Sequence, residues 1–140
     1  MSTEAKLTEK VSKDLMDQLV KLALDLGEIN KVDLDFTHDS IRDVEQILSH
    51  IHADYLKKGM QEGMKGIALE CAAYIVKTIK NNTGSGEWFR NDREFGKDSF
   101  PFEWKNGDVL FPYSWCQKRI FDGPSDDVWL KYQTLVLSKI

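Results

Sequence analysis

The segment from Phe100 to Tyr113 constrains the fold more than any other. It reads Phe-Pro-Phe-Glu-Trp-Lys-Asn-Gly-Asp-Val-Leu-Phe-Pro-Tyr. Asn-Gly is the preferred centre of a two-residue type I′ turn, because both positions need positive φ. A turn at Asn106-Gly107 pairs Lys105 with Asp108, Trp104 with Val109, Phe102 with Phe111 and Phe100 with Tyr113. One face then carries Phe100, Phe102, Trp104, Val109, Phe111 and Tyr113. The other carries Glu103, Lys105 and Asp108, with Leu110 out of pattern. Alternation of this kind marks a half-buried antiparallel pair, so the aromatic face reads as core. Pro101 and Pro112 oppose each other near the open end, which makes that end an edge or a bulge. A lone hairpin is unstable in water and needs another layer over its apolar face.

The preceding residues supply helices for that layer. Leu7, Val11, Leu15, Leu19, Leu22 and Leu26 recur at three- and four-residue steps and predict a helix over about 3–26, with Gly27 as its C-terminal cap. A second helix starts near Thr37 or Asp39, both good N-caps, and ends at Lys57-Lys58-Gly59. Its stripe is Ile41, Val44, Leu48, Ile51 and Tyr55. A third, over about 60–80, is apolar nearly all round and reads as the buried one. Gly59, Gly63, Gly66, Glu70, Ala73 and Lys77 form a narrow strip on it, where small residues let another backbone approach. The stretch Asn81 to Gly86 breaks the helix, and Glu87 to Arg90 reads as a short strand. After the hairpin, the residues from Trp115 to Asp122 read as a surface turn ending at Gly123-Pro124. Ser125 then caps a last helix with the stripe Val128, Tyr132, Leu135 and Val136. The expected architecture is α+β: one domain over 1–140, with four helices packed on a small antiparallel sheet containing the 100–113 hairpin. Residues 1–83 form a helical half. Residues 84–140 form an aromatic half holding twelve of the fifteen Phe, Trp and Tyr.

Net charge is −4, which disfavours general nucleic-acid binding. No apolar run approaches the roughly 18 residues of a membrane helix, and the first residues lack the apolar core of a signal peptide, so the expected location is the cytoplasm. Cys71 and Cys116 sit among apolar neighbours and read as reduced core thiols.

Sites of chemistry are sparse. His50 and His52, two apart on a helix, point in different directions. His52 with Glu45 falls short of a converging ligand set, so no metal or cofactor is expected. Glu70, on the buried helix, must be paired or protonated. Lys77, Lys118 or Arg119 would pair it; without a partner it would be a general base. No nucleophile elbow surrounds Ser85, Ser99 or Ser114, and Gly84-Ser85-Gly86 is too short for a phosphate loop. What remains is a recognition surface: Trp88, Arg90, Arg93, Trp115, Lys118 and Arg119 are residue types that anchor interfaces. The second reading is a small enzyme or ligand-binding domain with a pocket around Glu70, Trp88, Trp115 and Arg119.

One order of short motifs runs through residues 33–135: Asp35-Phe36-Thr37-x-x-Ser40, Ala73-Tyr74-Ile75, Gly86-Glu87-Trp88, Phe111-Pro112, Lys118-Arg119 and Gly123. This order resembles a family of small bacterial domains of unknown function. Val76-Lys77 stands where that pattern has Gly-Glu. The resemblance implies a bacterial source and a fold of helices followed by a Gly-x-Trp strand and a hairpin. Small domains of this style include immunity proteins, which block a toxin by binding it. The resemblance carries no activity of its own; the recognition surface and the weak acidity of the chain give the expected function, a non-catalytic bacterial binding protein of the immunity or adaptor kind that acts by occluding a partner protein such as a toxin.

Overall fold

The structure, a computed structural model, describes residues 9–91 and 96–140. Five α-helices pack with a small antiparallel sheet among the described residues, so the α+β architecture holds with one helix more than expected. In chain order they are α1 (Lys13–Ile29), α2 (Ile41–Lys58), α3 (Met64–Thr83), β1 (Glu87–Trp88), β2 (Phe102–Trp104), β3 (Asp108–Leu110), α4 (Pro112–Phe121) and α5 (Val128–Leu135). No helix among the described residues is long and apolar enough to cross a membrane.

The helix α3 is the hub, as its all-round apolar character predicts. Residues Cys71 to Val76 are all buried, and α1 and α4 pack along it. It begins four residues later than the periodicity suggests. Gly59 (φ 77°) and Gly63 (φ 92°) belong to the connection before it and take left-handed conformations there. A Cβ on Gly66 would meet only the far oxygen of Glu70, 3.9 Å away. The glycine strip therefore serves the chain reversal and open surface, not close backbone packing.

The helix α1 starts at Lys13, where the Ser12 side chain accepts from the Leu15 amide. The part of the expected helix before residue 9 lies outside the described residues. Residues 9–11 run beside β1: the Val11 amide donates to the Trp88 carbonyl and the Arg90 amide to the Glu9 carbonyl. The buried side of α1 is Leu19, Val20, Ala23 and Gly27, while Leu22 is 45% exposed, so the true stripe is rotated from the leucine series. Gly27 lies inside the helix and not after it. A side chain there would press on Leu34 at 3.0 Å, and the cap is Asn30.

The hairpin forms one residue out of the expected register. Trp104 pairs with Asp108, Glu103 with Val109 and Phe102 with Leu110. Its loop has three residues, Lys105–Gly107, with Asn106 at φ 59° and Gly107 at φ 83°. The Asn-Gly signal was right about positive φ and misleading about loop length. The shift puts Leu110, the residue out of pattern, on the core face beside Phe102 and Trp104, and leaves Val109 half-buried. β3 stops at Leu110 because Pro112 opens α4 at a position where a missing N–H costs nothing. Pro101 and Pro112 consequently do not face each other as strand partners. The Pro101 carbonyl accepts from the Phe89 amide, extending the β1–β2 ladder with no need of a proline N–H.

The stretch expected to be a surface turn is α4, and much of it is core: Trp115, Cys116, Arg119 and Ile120 are buried at helical spacing. α5 is capped by Asp127, whose side chain accepts from the Leu130 amide, not by Ser125. Val128, Tyr132 and Val136 are buried as expected, and Leu135 is 36% exposed.

Candidate functional site

Most of the residues singled out by short motifs turn out to hold the fold. Asp35 accepts from both the amide and the hydroxyl of Thr37, and Thr37 Oγ1 accepts from the Ser40 amide. The Ser40 hydroxyl bonds the Thr37 carbonyl at 2.6 Å and the Tyr74 hydroxyl at 2.6 Å, and that hydroxyl accepts from the Phe36 amide at 2.8 Å. Phe36, held at φ 63°, stacks on the Tyr74 ring at 4.9 Å. The Asp35-to-Ser40 and Tyr74 motifs are thus two halves of one knot that fixes the start of α2 on α3. Burial pushes the Tyr74 hydroxyl's pKa up, against the lowering effect of its hydrogen bonds to Ser40 and Phe36.

The Lys118-Arg119 and Gly123 motif behaves similarly. Arg119 is 4% exposed, and its Nε donates to Glu45 Oε2 at 2.8 Å. Glu45 Oε1 accepts from the Val128 amide at 2.9 Å, so one carboxylate joins α2, α4 and the first turn of α5. His52 Nδ1 donates to the Ile120 carbonyl at 2.7 Å, and its ring closes on Gly123. At φ 104°, with the ring 3.1 Å from where a Cβ would stand, Gly123 admits no larger residue without strain. Glu45 and His52 therefore do not converge. No group of three or more potential metal-ligating residues occurs among the described residues.

The expected recognition surface is taken apart by these contacts. Trp115 and Arg119, placed by sequence on an exposed turn, are buried in α4. Arg90 donates to Asp98 at 2.7 Å and lies 5.9 Å over the Phe100 ring. Arg93 lies outside the described residues. Lys118 is exposed and borders a cavity of about 580 Å³ together with Trp115 and Tyr113. Trp88 is buried at the wall of a different groove, its indole N–H donating to the Phe100 carbonyl. Glu70 is half-buried, with no ion pair to Lys77, Lys118 or Arg119. Burial, and then the charge of Asp25, raises its pKa. Glu70, Trp88, Trp115 and Arg119 do not share one pocket: the two tryptophans line separate cavities, and neither cavity includes Glu70 or Arg119.

The larger cavity is an open groove of about 910 Å³. Three parts of the chain build it: the first turns of α1 (Lys13, Met16, Asp17), the last turns of α3 (Val76, Lys77, Lys80) and the sheet end carrying Trp88 and Glu103 to Gly107. Lys13 is bound to Asp17 at 2.8 Å, and the Lys105 ammonium donates to the Lys139 carbonyl. Glu87 lies opposite Glu103 in the β1–β2 ladder, with Lys10 at 3.9 Å from Glu87. Lys77 and Lys80 form no ion pair with a described residue. Trp104, 3% exposed, belongs to the groove wall, and its indole N–H is buried without an acceptor. A buried N–H with no partner is rare and costs about 1–3 kcal/mol.

Lys80 was not singled out from sequence, Lys77 was read as a partner for Glu70, and Trp104 as core of the hairpin face. Lys77 and Lys80, three apart on an otherwise apolar helix, were the available signal, because polar residues on a buried helix mark where it emerges. No family model, curated protein or solved structure matches this chain, so the likeness to small bacterial domains rests on its short motifs alone.

Proposed function

We propose that the protein is a non-catalytic binding protein, of the immunity or adaptor kind, which acts by occluding a partner protein through the groove between α1, α3 and the sheet end. The observation that carries this reading is the coincidence, in one groove, of Lys77 and Lys80, which form no ion pair with a described residue, with the apolar surface of Val76 and Met16 beside them. Polar groups left unmet on a concave surface are the groups a ligand would meet. Trp88 and Trp104, both buried, make the wall of the groove rigid.

The test places a photo-crosslinking residue at Lys80, in the groove, and in a second variant at His50, on the exposed side of α2. A protein captured from Lys80 and not from His50 is identified, purified and titrated with the wild-type chain and with a Lys77→Glu/Lys80→Glu variant. The reading expects 1:1 binding that charge reversal weakens tenfold or more, about 1.4 kcal/mol. Binding unchanged by charge reversal in the groove would refute it.

A further inference from the structure

We infer that Asn106 is a site of spontaneous covalent modification, where the folded chain converts a side-chain amide to an aspartyl or isoaspartyl carboxylate through a cyclic imide with Gly107. The only co-reactant is water. Hydroxide takes the Gly107 amide proton, and the nitrogen attacks Asn106 Cγ. The new N–Cγ bond closes a succinimide ring, the Cγ–Nδ2 bond breaks, and ammonia leaves with a proton taken from water, which regenerates hydroxide. Water then adds to one of the two imide carbonyls. Breaking the N–Cγ bond gives aspartate. Breaking the bond to the original main-chain carbonyl carbon gives isoaspartate, whose main chain runs through Cγ.

The fold selects this asparagine from the five in the chain. Asn30 donates to the Leu26 carbonyl at 2.8 Å, and its Oδ1 bonds His50. Asn82 donates to the Phe36 and Thr78 carbonyls, and Asn91 is held by Glu9 and the Asp98 amide. Asn81 lies within α3 and is followed by a residue with a side chain. Asn106 is exposed, makes no side-chain hydrogen bond with a described residue, and precedes a glycine, which puts no Cβ in the way of the attack. A Cβ on Gly107 would meet nothing within 4 Å, so the space around the attacking nitrogen is open. Ring closure turns the Asn106 ψ away from 28°. That disturbs the Asp108-to-Lys105 backbone bond closing the loop, but the loop contains no buried residue. Exposed loop tips open at little cost. Asp122-Gly123 could close the same ring from a carboxyl group, and there the fold prevents it. The Gly123 amide donates to the Lys118 carbonyl, and the His52 ring packs against Gly123. Asn106 and Gly107 line the larger groove, so the conversion adds one negative charge to its rim in a chain of net charge −4. The chemistry is independent of what occupies the groove.

The experiment ages the full chain at 37 °C, at pH 7.4 and at pH 9, over several weeks. Peptide mapping by mass spectrometry locates the mass gain of amide-to-acid conversion, and an isoaspartyl methyltransferase with labelled methyl donor locates isoaspartate. Both signals should appear at Asn106 before any other asparagine or Asp122, and sooner at pH 9. Asn106→Gly keeps the positive φ the loop needs and should abolish both signals there. In urea, Asp122-Gly123 should begin to form isoaspartate as its packing is lost. Earlier conversion at another asparagine or at Asp122 in the folded chain would overturn the inference. So would conversion of Asn106 only in urea, because the folded hairpin would then be blocking ring closure.

Discussion

Arg119→Ala separates a structural guanidinium from one held ready for a partner, and the structure predicts a large loss of stability. Arg119 is 4% exposed, and among the described residues its only hydrogen bond to a side chain goes to Glu45 at 2.8 Å. Removing one member of a buried pair leaves the other as an uncompensated charge, a cost of about 3–5 kcal/mol. Two features favour the low end: Arg119 Nη1 has no partner even in the intact protein, and Glu45 keeps the Val128 amide after the change. A loss of about 3 kcal/mol is therefore expected. With roughly 2.1 cal/mol/K of unfolding entropy per residue, it lowers the melting temperature of this chain by about 10 °C. Thermal unfolding followed by far-ultraviolet circular dichroism at pH 7 measures it. Glu45→Ala should cost at least as much, since it also strips the acceptor from the first turn of α5. The double variant should cost about 1–3 kcal/mol less than the two single changes together, because each single change breaks the same pair and strands its other member, whereas the double variant leaves neither behind. A melting temperature for Arg119→Ala within 2 °C of wild type, or strict additivity in the cycle, would refute the structural assignment and return Arg119 to the list of interface residues.

Three further outcomes follow from the core. Tyr74→Phe removes the hydroxyl that accepts the Phe36 amide and bonds Ser40, and should lower stability by about 1–3 kcal/mol in urea titration; an unchanged midpoint would mean that the knot contributes nothing. Burial pushes the Cys71 thiol up to about 12 from its ordinary 9.0, so between those values the folded chain holds a proton that the unfolded chain releases. Stability should therefore fall as pH rises through that window, and both buried thiols should resist a thiol-specific reagent at pH 8 until the protein unfolds. Rapid labelling of the folded protein would contradict this. Glu70→Gln should raise the melting temperature at pH 7, because burial and the charge of Asp25 disfavour the ionised carboxylate, and the gain should vanish at pH values where the group is protonated in both states. A loss of stability at pH 7 would reveal a cationic partner for Glu70.

Near neighbours along the chain settle those features that can be read before the chain is folded. The apolar periodicity of 41–55 and the all-round apolar character of 64–79 identify α2 and the buried α3, because a helix repeats every 3.6 residues and its environment is written into that repeat. Asn106-Gly107 demanded a chain reversal, and the reversal is there. Register was a different matter. Whether the loop has two residues or three depends on which of Val109 and Leu110 meets the core, and that was decided by the packing of Phe102 and Trp104 beneath the helices. The segment 112–121 could be read as strand or turn from its aromatics, until burial of Trp115, Cys116, Arg119 and Ile120 against α2 and α3 made it a helix. Partners were decided at longer range still. Nothing local assigns Arg119 to Glu45, 74 positions away, in preference to Glu70, because an ion pair forms wherever the packed helices bring opposite charges together. The groove is the extreme case. Lys77 and Trp104 are far apart in sequence and unremarkable in their own segments, and only the docking of α3 against the sheet end places them in one concave surface.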